Sequence, residues 1–421
     1  MPGAAAGRGD AVDGVAGRVL ADLLAQAHLM APGALTGVLA ERARPLGVHG
    51  VRIYLADLQQ RHLHLLPGNA ADAPGELPID ATLAGRAFQT TTVHRASAAA
   101  SGGLAQVWVP LIDGTERLGV LELIVEDAGE AMLGRYRALA SLAGLLIASK
   151  SAYSDTYAQV RRSREVALQA EMVRAFLAPM TFATEQLIVA AVLEPAYDVG
   201  GDAFDYSLLG ERLHVSLFDA AGHDLAAGLI ASVAMASCRT TRRSGGGLTD
   251  IVARADHAIA SQFGSSRFAT ALLCDLNIAT GELAWIPCGH PPPLLIRDNK
   301  VIKELFRRPW LPLGIADTPS ATATDTGDLS PPVYTEHLEP RDRVLLYTDG
   351  LVEGRARGSQ FGLERLTDFI IRHSASGLSA PEILRRLNHA ILDHQHGRLS
   401  DDATAVLIEW MPGNPRNQIT A

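Results

Sequence analysis

Cysteine is scarce in this chain. Its three cysteines, Cys238, Cys274 and Cys288, are odd in number, widely spaced and without a CxxC pair. That argues against a disulfide framework or a zinc ribbon and for a reducing compartment. Long basic blocks are missing too. The densest cluster, Arg161-Arg162-Ser163-Arg164, reads as a solvated helix face, and the formal net charge is −9. Nucleic acid is therefore not an expected partner. The longest apolar stretches, near 138–149 and 225–237, fall short of the roughly 20 residues a bilayer span needs. Residues 1–17 are rich in Gly and Ala, with no apolar core behind a basic start, so a disordered tail is expected rather than a secretory signal. From these absences a cytoplasmic location without a membrane anchor is expected.

What is present is ordinary for a soluble globular protein. Apolar residues make up 48% and charged residues 20% of 421 residues, enough for one to three domains. Three regions separate by pattern. In the first, about 18–132, residues 16–46 carry apolar side chains at three- and four-residue steps, as a helix does. Val51-Arg52-Ile53-Tyr54-Leu55 alternates like a strand. Residues 107–112, the turn Asp113-Gly114 and residues 118–125 read as a hairpin. The second region, 133–178, reads as one long helix linker ending at Pro179. Leu139, Leu146, Tyr153 and Val160 repeat every seven residues and could pair two copies in a dimer. Its companion positions are mostly polar, so a helix lying on its own domain is the alternative.

The third region, 184–411, alternates strand and helix patterns, and 412–421 reads as a tail. Strands are expected at 187–193, 212–219, 267–275, 281–286, 343–349 and 404–410, and helices at 225–242, 248–263, 363–373 and 380–394. The short link Ala279-Thr280-Gly281 can join only antiparallel strands. An α+β fold follows, with sheets and segregated helices.

Aspartates fall at the edges of these strands, in Gly200-Gly201-Asp202, Phe218-Asp219, Thr348-Asp349-Gly350 and Asp401-Asp402. Carboxylates converging from strand ends would repel one another in a low-dielectric cleft. Hard divalent cations relieve that repulsion, and magnesium or manganese fit best. Two such ions can activate a water and clamp a phosphoryl group. Each motif alone also has a structural reading. Asp349-Gly350 can be a turn, Gly200-Gly201 a close backbone approach, and Asp401-Asp402 a cap.

Taken in order, these segments resemble the SpoIIE-type (RsbU-like) branch of the metal-dependent protein phosphatases, the type-2C fold. The matching stretches are Tyr197-Asp198-Val199-Gly200-Gly201-Asp202-Ala203-Phe204-Asp205-Tyr206, Asp219-Ala220-Ala221-Gly222-His223-Asp224, Phe268-Ala269-Thr270-Ala271 and Gly289-His290-Pro291-Pro292-Pro293-Leu294. They continue with Leu313-Gly314, the stretch from Leu345 to Glu353, and Asp401-Asp402-Ala403-Thr404. The resemblance implies two antiparallel sheets between helices. It also implies two Mn²⁺ or Mg²⁺ ions held by Asp202, Asp219, Asp349 and Asp401, with Asp219 bridging, the carbonyl of Ala220 adding an oxygen and Asp402 adjacent. The implied reaction is hydrolysis of phosphoserine or phosphothreonine on a protein, and the implied partner a phosphorylated anti-anti-sigma (STAS-type) protein. The chain departs from the family pattern at Asp224, where Gly-His-Gly is usual, and at Pro287-Cys288.

Weaker signals remain. His223 could act as a general acid or merely fix its loop, and His394 and His396 have a spacing some metal sites use. His290 is expected to shape a turn, and Trp285 and Trp410 to lie in the core. Residues 18–132 resemble a GAF domain, a module for dimerisation and small-molecule ligands, without a cysteine to tether a bilin. The competing readings are a non-catalytic phosphoprotein-binding module and a small-ligand sensor on a phosphatase-like scaffold.

Overall fold

The computed structural model describes residues 6–68, 74–96, 103–198, 200–315, 330–353, 355–356, 359–396, 399 and 401–412. The chain divides into two compact units, one running to Arg164 and one from Glu165 to Arg416.

The first unit contains α1 (Ala6–Ala27), α2 (Leu35–Arg42), β1 (Val48–Ala56), β2 (His62–Leu65), β3 (Glu76–Pro78), α3 (Leu83–Thr90), β4 (His94–Ala96), β5 (Ala105–Asp113), β6 (Glu116–Val125), α4 (Glu130–Ser151) and α5 (Thr156–Arg161). Its six strands form one antiparallel sheet in the order β3-β2-β1-β6-β5-β4. The period-two alternation sorts the side chains by face. Ile53, Leu55, Val109, Leu111, Leu121 and Leu123 join a core with α1, α2 and α4. Tyr54, Ala56, Trp108 and Val120 face the other way, onto Ala84, Ala87 and Phe88 of α3.

Two expectations are corrected here. Residues 6–17, expected as part of a disordered tail, belong to α1, whose Ala16, Val19 and Leu23 are buried in the first core. Alanine carries no propensity cost in a helix, and packing of one face supplies the rest. The single long helix over 133–178 is three helices, α4, α5 and α6 (Leu168–Phe176), the last in the second unit. Polar side chains break it by competing for backbone groups. The amide of Thr156 donates to the Ser154 hydroxyl at 3.3 Å, and that of Ala167 to the Tyr197 carbonyl at 2.8 Å. The seam residues Leu139 and Leu146 are buried in the unit's own core, while Tyr153 is exposed. The helix therefore lies on its own domain. α4 is the one described helix long and apolar enough to cross a membrane, and much of it is buried in that core.

The second unit continues with β7 (Thr181–Ala183), β8 (Leu187–Glu194), β9 (Asp202–Leu209), β10 (Arg212–Ala220), α7 (Leu225–Arg243), α8 (Leu248–Phe263), β11 (Ala269–Asn277), β12 (Glu282–Cys288), β13 (Leu294–Arg297), β14 (Lys300–Glu304), β15 (Tyr334–His337), β16 (Arg343–Tyr347), α9 (Gly350–Glu353), β17 (Arg355–Ala356), β18 (Ser359–Gln360), α10 (Leu363–Ala375), α11 (Ala380–His394) and β19 (Ala403–Trp410). Two antiparallel sheets run β15-β12-β11-β10-β9 and β14-β13-β16-β19-β8-β7, beside a small β17-β18 ribbon. Leu193, Leu217, Leu272, Trp285, Leu346 and Val406 fill the space between the sheets. α7 and α8 cover the outer face of the first sheet, α10 and α11 that of the second. This is the expected arrangement of two antiparallel sheets between helices, with Trp285 and Trp410 in the core. Gly281 has φ +78°, and a Cβ there would lie 2.3 Å from the Trp410 ring, so this turn needs glycine.

Candidate active site

Two strand pairs, one from each sheet, deliver the aspartates. Asp202 opens β9 and Asp219 lies near the end of β10, and the two face each other in register. In the other sheet Tyr347 of β16 pairs with Ala405 of β19. Thr348 and Asp349 therefore leave one strand where Asp401 and Asp402 enter the next.

Hydrogen bonds stitch the two pairs together. Oδ2 of Asp402 accepts from the amides of Gly200 at 2.8 Å, Gly201 at 2.7 Å and Asp202 at 3.2 Å. The Thr348 hydroxyl donates to Oδ2 of Asp202 at 2.8 Å and accepts from the Thr404 amide at 2.9 Å. Glycines make this approach possible. A Cβ on Gly200 would meet the His223 backbone at 2.6 Å, and one on Gly201 the Ala220 carbonyl oxygen at 2.4 Å. A Cβ on Gly350 would sit 1.8 Å from the carbonyl oxygen of Asp402. The close-approach reading of Gly200-Gly201 thus holds.

Burial and mutual repulsion set the electrostatics. Burial, then Asp219 and Asp402, hold the Asp202 carboxyl well above the usual carboxylate range. Asp219 is pushed up to about 7, first by burial, then by Asp349, Asp401 and Asp402. Asp349 is raised by burial, Asp401 and Glu353. Asp402 is raised by burial, against the pull of its three amide donors. The structure thus brings Asp202, Asp219, Asp349, Asp401 and Asp402 into one field. Asp202 and Asp402 are buried, Asp219 and Asp349 partly so, and Asp401 is exposed. One oxygen of Asp402 is committed to the backbone clamp.

Among the described residues, no three carboxylate, imidazole or thiolate groups already converge at ion-binding spacing. The donor set nevertheless fits hard divalent cations. It is all oxygen, its charges raise one another's pKa, and a cation is what would relieve them.

The site also holds residues that sequence reasoning underrated. His290 is buried and does more than shape a turn. Its Nδ1 lies 2.7 Å from the Thr270 hydroxyl and its Nε2 3.1 Å from the Tyr347 carbonyl. A carbonyl only accepts, so Nε2 carries the proton and Nδ1 accepts from Thr270. Burial pushes its pKa down to about 4, which keeps the ring neutral. Thr270 pairs with Asp219, and Tyr347 lies two residues before Asp349, so His290 ties the two sheets beside the aspartates. Thr348 was legible only as a neighbour of Asp349. His223 is exposed. The His394 ring packs on Phe361, with centroids 5.6 Å apart.

Comparison with known proteins bears on this unit. Residues 210–411 match the family model described as Stage II sporulation protein E (SpoIIE). Phosphoserine phosphatase RsbU of Bacillus subtilis (strain 168) is 21% identical over 244 residues, 58% of this chain and 69% of that protein. Phosphoserine phosphatase RsbP of the same organism is 23% identical over 232 residues, 53% of each chain. The solved SiaA-PP2C domain of Pseudomonas aeruginosa is 20% identical, with 57% of this chain and 94% of that one covered at a TM-score of 0.45.

Proposed function

We propose, from the match of residues 210–411 to the SpoIIE family model and from the aspartate site, that this chain is a metal-dependent protein serine/threonine phosphatase. Asp202, Asp219, Asp349 and Asp401, with the Ala220 carbonyl, would hold two Mn²⁺ or Mg²⁺ ions. The observation that carries the reading is the gathering of strand-end aspartates from both sheets, Asp202 paired in register with Asp219 and bonded to Thr348, its turn clamped by Asp402, with Asp349, Asp401 and Asp402 near enough to raise the Asp219 carboxyl. When bound there, such ions supply Lewis acidity toward the phosphoryl group and bring the pKa of water toward about 7.

The chain's own residues prepare the site. Thr348 fixes one oxygen of Asp202 by donating to it. Asp402 holds the turn that carries Asp202. Neutral His290 locks β11 to the end of β16, so that Asp219 and Asp349 keep their separation. Rigid positioning of this kind is what in-line phosphoryl chemistry asks of a protein.

The substrate we propose is phosphoserine or phosphothreonine on a separate signalling protein of the anti-anti-sigma (STAS) type. Residues 18–132 would act as a GAF-like regulatory unit, with a small-molecule ligand and a homodimer as its means. A cytoplasmic location suits such a partner.

The test is Mn²⁺-dependent hydrolysis of p-nitrophenyl phosphate by the parent chain and by Asp219→Asn and Asp349→Asn. Activity in the parent that both substitutions abolish supports the proposal. A folded but inactive parent would leave a non-catalytic phosphoprotein-binding module as the better reading.

A further inference from the structure

Residues 305–313 form a strap between the two sheets of the second unit, pinned by its backbone at three points. The Leu305 amide donates to the Pro293 carbonyl at 2.8 Å and the Trp310 amide to that of Pro287 at 2.7 Å. Leu313 and Ala269 exchange two bonds, at 2.8 and 3.0 Å. These anchors stand at the strand ends that carry the aspartates. Ala269 pairs with Ala220, next to Asp219. Glu304, just before the strap, pairs with Leu294, and Leu294 with Leu345, four residues before Asp349. Tyr347, between Leu345 and Asp349, has its phenol pushed up to about 12, first by burial and then by Glu304.

The strap and β14 present an apolar and cationic surface. Residues 300–311 hold four cations and one carboxylate, in a chain of net charge −9. Phe306 is 66% exposed among them, and Ile302 and Val333 are exposed as well. Printed contacts of β15 join these pieces into one patch. The Arg307 guanidinium lies 5.9 Å from the ring centroids of both Trp285 and Tyr334. The Tyr334 hydroxyl donates to the Arg308 carbonyl at 3.0 Å, and Lys303 meets Glu336 at 2.7 Å. Exposed apolar side chains with a charged rim, on a fixed backbone, mark an interaction surface.

We infer that this patch is the docking surface for the protein substrate, and that it holds an acidic, partly apolar segment about five residues from the phosphorylated side chain. The inference rests on the phosphatase reading. Charge and distance choose the occupant. A cationic rim on an acidic chain selects an acidic partner and repels a basic one. Two strand spacings of about 4.8 Å and four residues at about 3.3 Å separate Glu304 from Asp349, about 16 Å in all, which an extended peptide spans in about five residues. Phe306 supplies the apolar contact and Arg308 the charge, so the patch decides which protein is held while the aspartates act on its phosphate.

The experiment compares two synthetic phosphoserine peptides under Mn²⁺. One carries glutamate and the other lysine at the fourth and sixth positions on either side of the phosphoserine, both with leucine at the fifth. p-Nitrophenyl phosphate, too small to reach the patch, is the reference substrate. The parent should favour the acidic peptide about tenfold in kcat/KM, through KM. Arg308→Glu should remove or reverse that preference. Phe306→Ser should raise KM for the acidic peptide severalfold. Both variants should hydrolyse p-nitrophenyl phosphate as the parent does. An active parent that treats the peptides alike overturns the inference alone. So does an equal loss of peptide and p-nitrophenyl phosphate hydrolysis in the variants, since the strap would then serve only the structure of the site. Sedimentation with phosphatidylglycerol vesicles that Arg308→Glu abolishes, without a peptide preference, would assign the patch to a membrane surface and overturn it too. A parent without Mn²⁺-dependent hydrolysis of p-nitrophenyl phosphate removes the phosphatase reading and this inference with it.

Discussion

Asp402 reaches from one sheet to the other to take the amide of Gly201 at 2.7 Å on Oδ2, the oxygen that also takes the amides of Gly200 and Asp202. One acceptor thus fixes three successive residues of the turn that aims Asp202. Asp402→Ala should leave those buried donors without a partner, at about 1–3 kcal/mol for each that water does not reach. A loss of about 3–5 kcal/mol in urea unfolding is expected, with loss of hydrolysis. Asp402→Asn should be milder, because its amide oxygen can still accept. An alanine variant as stable as the parent would show that the clamp does not matter.

Gly350 packs where no side chain fits, with its virtual Cβ 1.8 Å from the Asp402 carbonyl oxygen. Gly350→Ala must push apart the two segments that carry Asp349 and Asp402. It should cost about 1–3 kcal/mol and weaken Mn²⁺ binding measured by calorimetry. Gly37, in α2 with open space around it, is the control. Alanine there should be neutral or stabilising by up to about 1 kcal/mol. Equal effects at the two positions would contradict the steric account.

The second unit was legible because its signals are local. Strand β10 alternates apolar and polar residues, β11 and β19 are mostly apolar, and α7, α8, α10 and α11 match their expected bounds within a few residues. The aspartates were legible because each stands at a strand end. The stitching between them was not, since the partners of Asp402 are about 200 residues away in sequence. Thr348 and His290 act through bonds to distant segments that no spacing announces. Helix periodicity over 133–178 misled because α4, α5 and α6 each carry apolar residues at helical spacing, while short polar turns end one helix before the next begins and α6 packs in a different core.

Stability of the metal-free protein should depend on pH through Asp219. Its folded pKa is about 7 against 3.8 for the free side chain, so the fold favours the protonated form. The sign follows from linkage. That contribution is full below pH 3.8 and is lost as pH rises through 7. Asp202, Asp349 and Asp402 shift in the same direction. In a chelator, stability should therefore fall by about 2–4 kcal/mol between pH 5 and pH 8, with the unfolding midpoint following. Asp219→Asn should flatten the slope, and added Mn²⁺ should restore most of the loss at pH 8. A metal-free midpoint that climbs with pH would contradict the mutual repulsion.

Regulation by the first unit yields the last prediction. The boundary between the compact units falls at Arg164, and α6 already belongs to the second unit, its Ala170 and Val173 buried in the cores of that unit. A chain beginning at Glu165 therefore keeps its own packing. If the first unit biases the aspartate site between competent and incompetent arrangements, removing it should change Mn²⁺ affinity or turnover by about fivefold or more. Calorimetric Mn²⁺ titration and phosphate-ester hydrolysis, on the full and shortened chains side by side, measure both. Coincident affinity and turnover would show that the two units are energetically independent, and the regulatory role would have to be abandoned while the catalytic one stands.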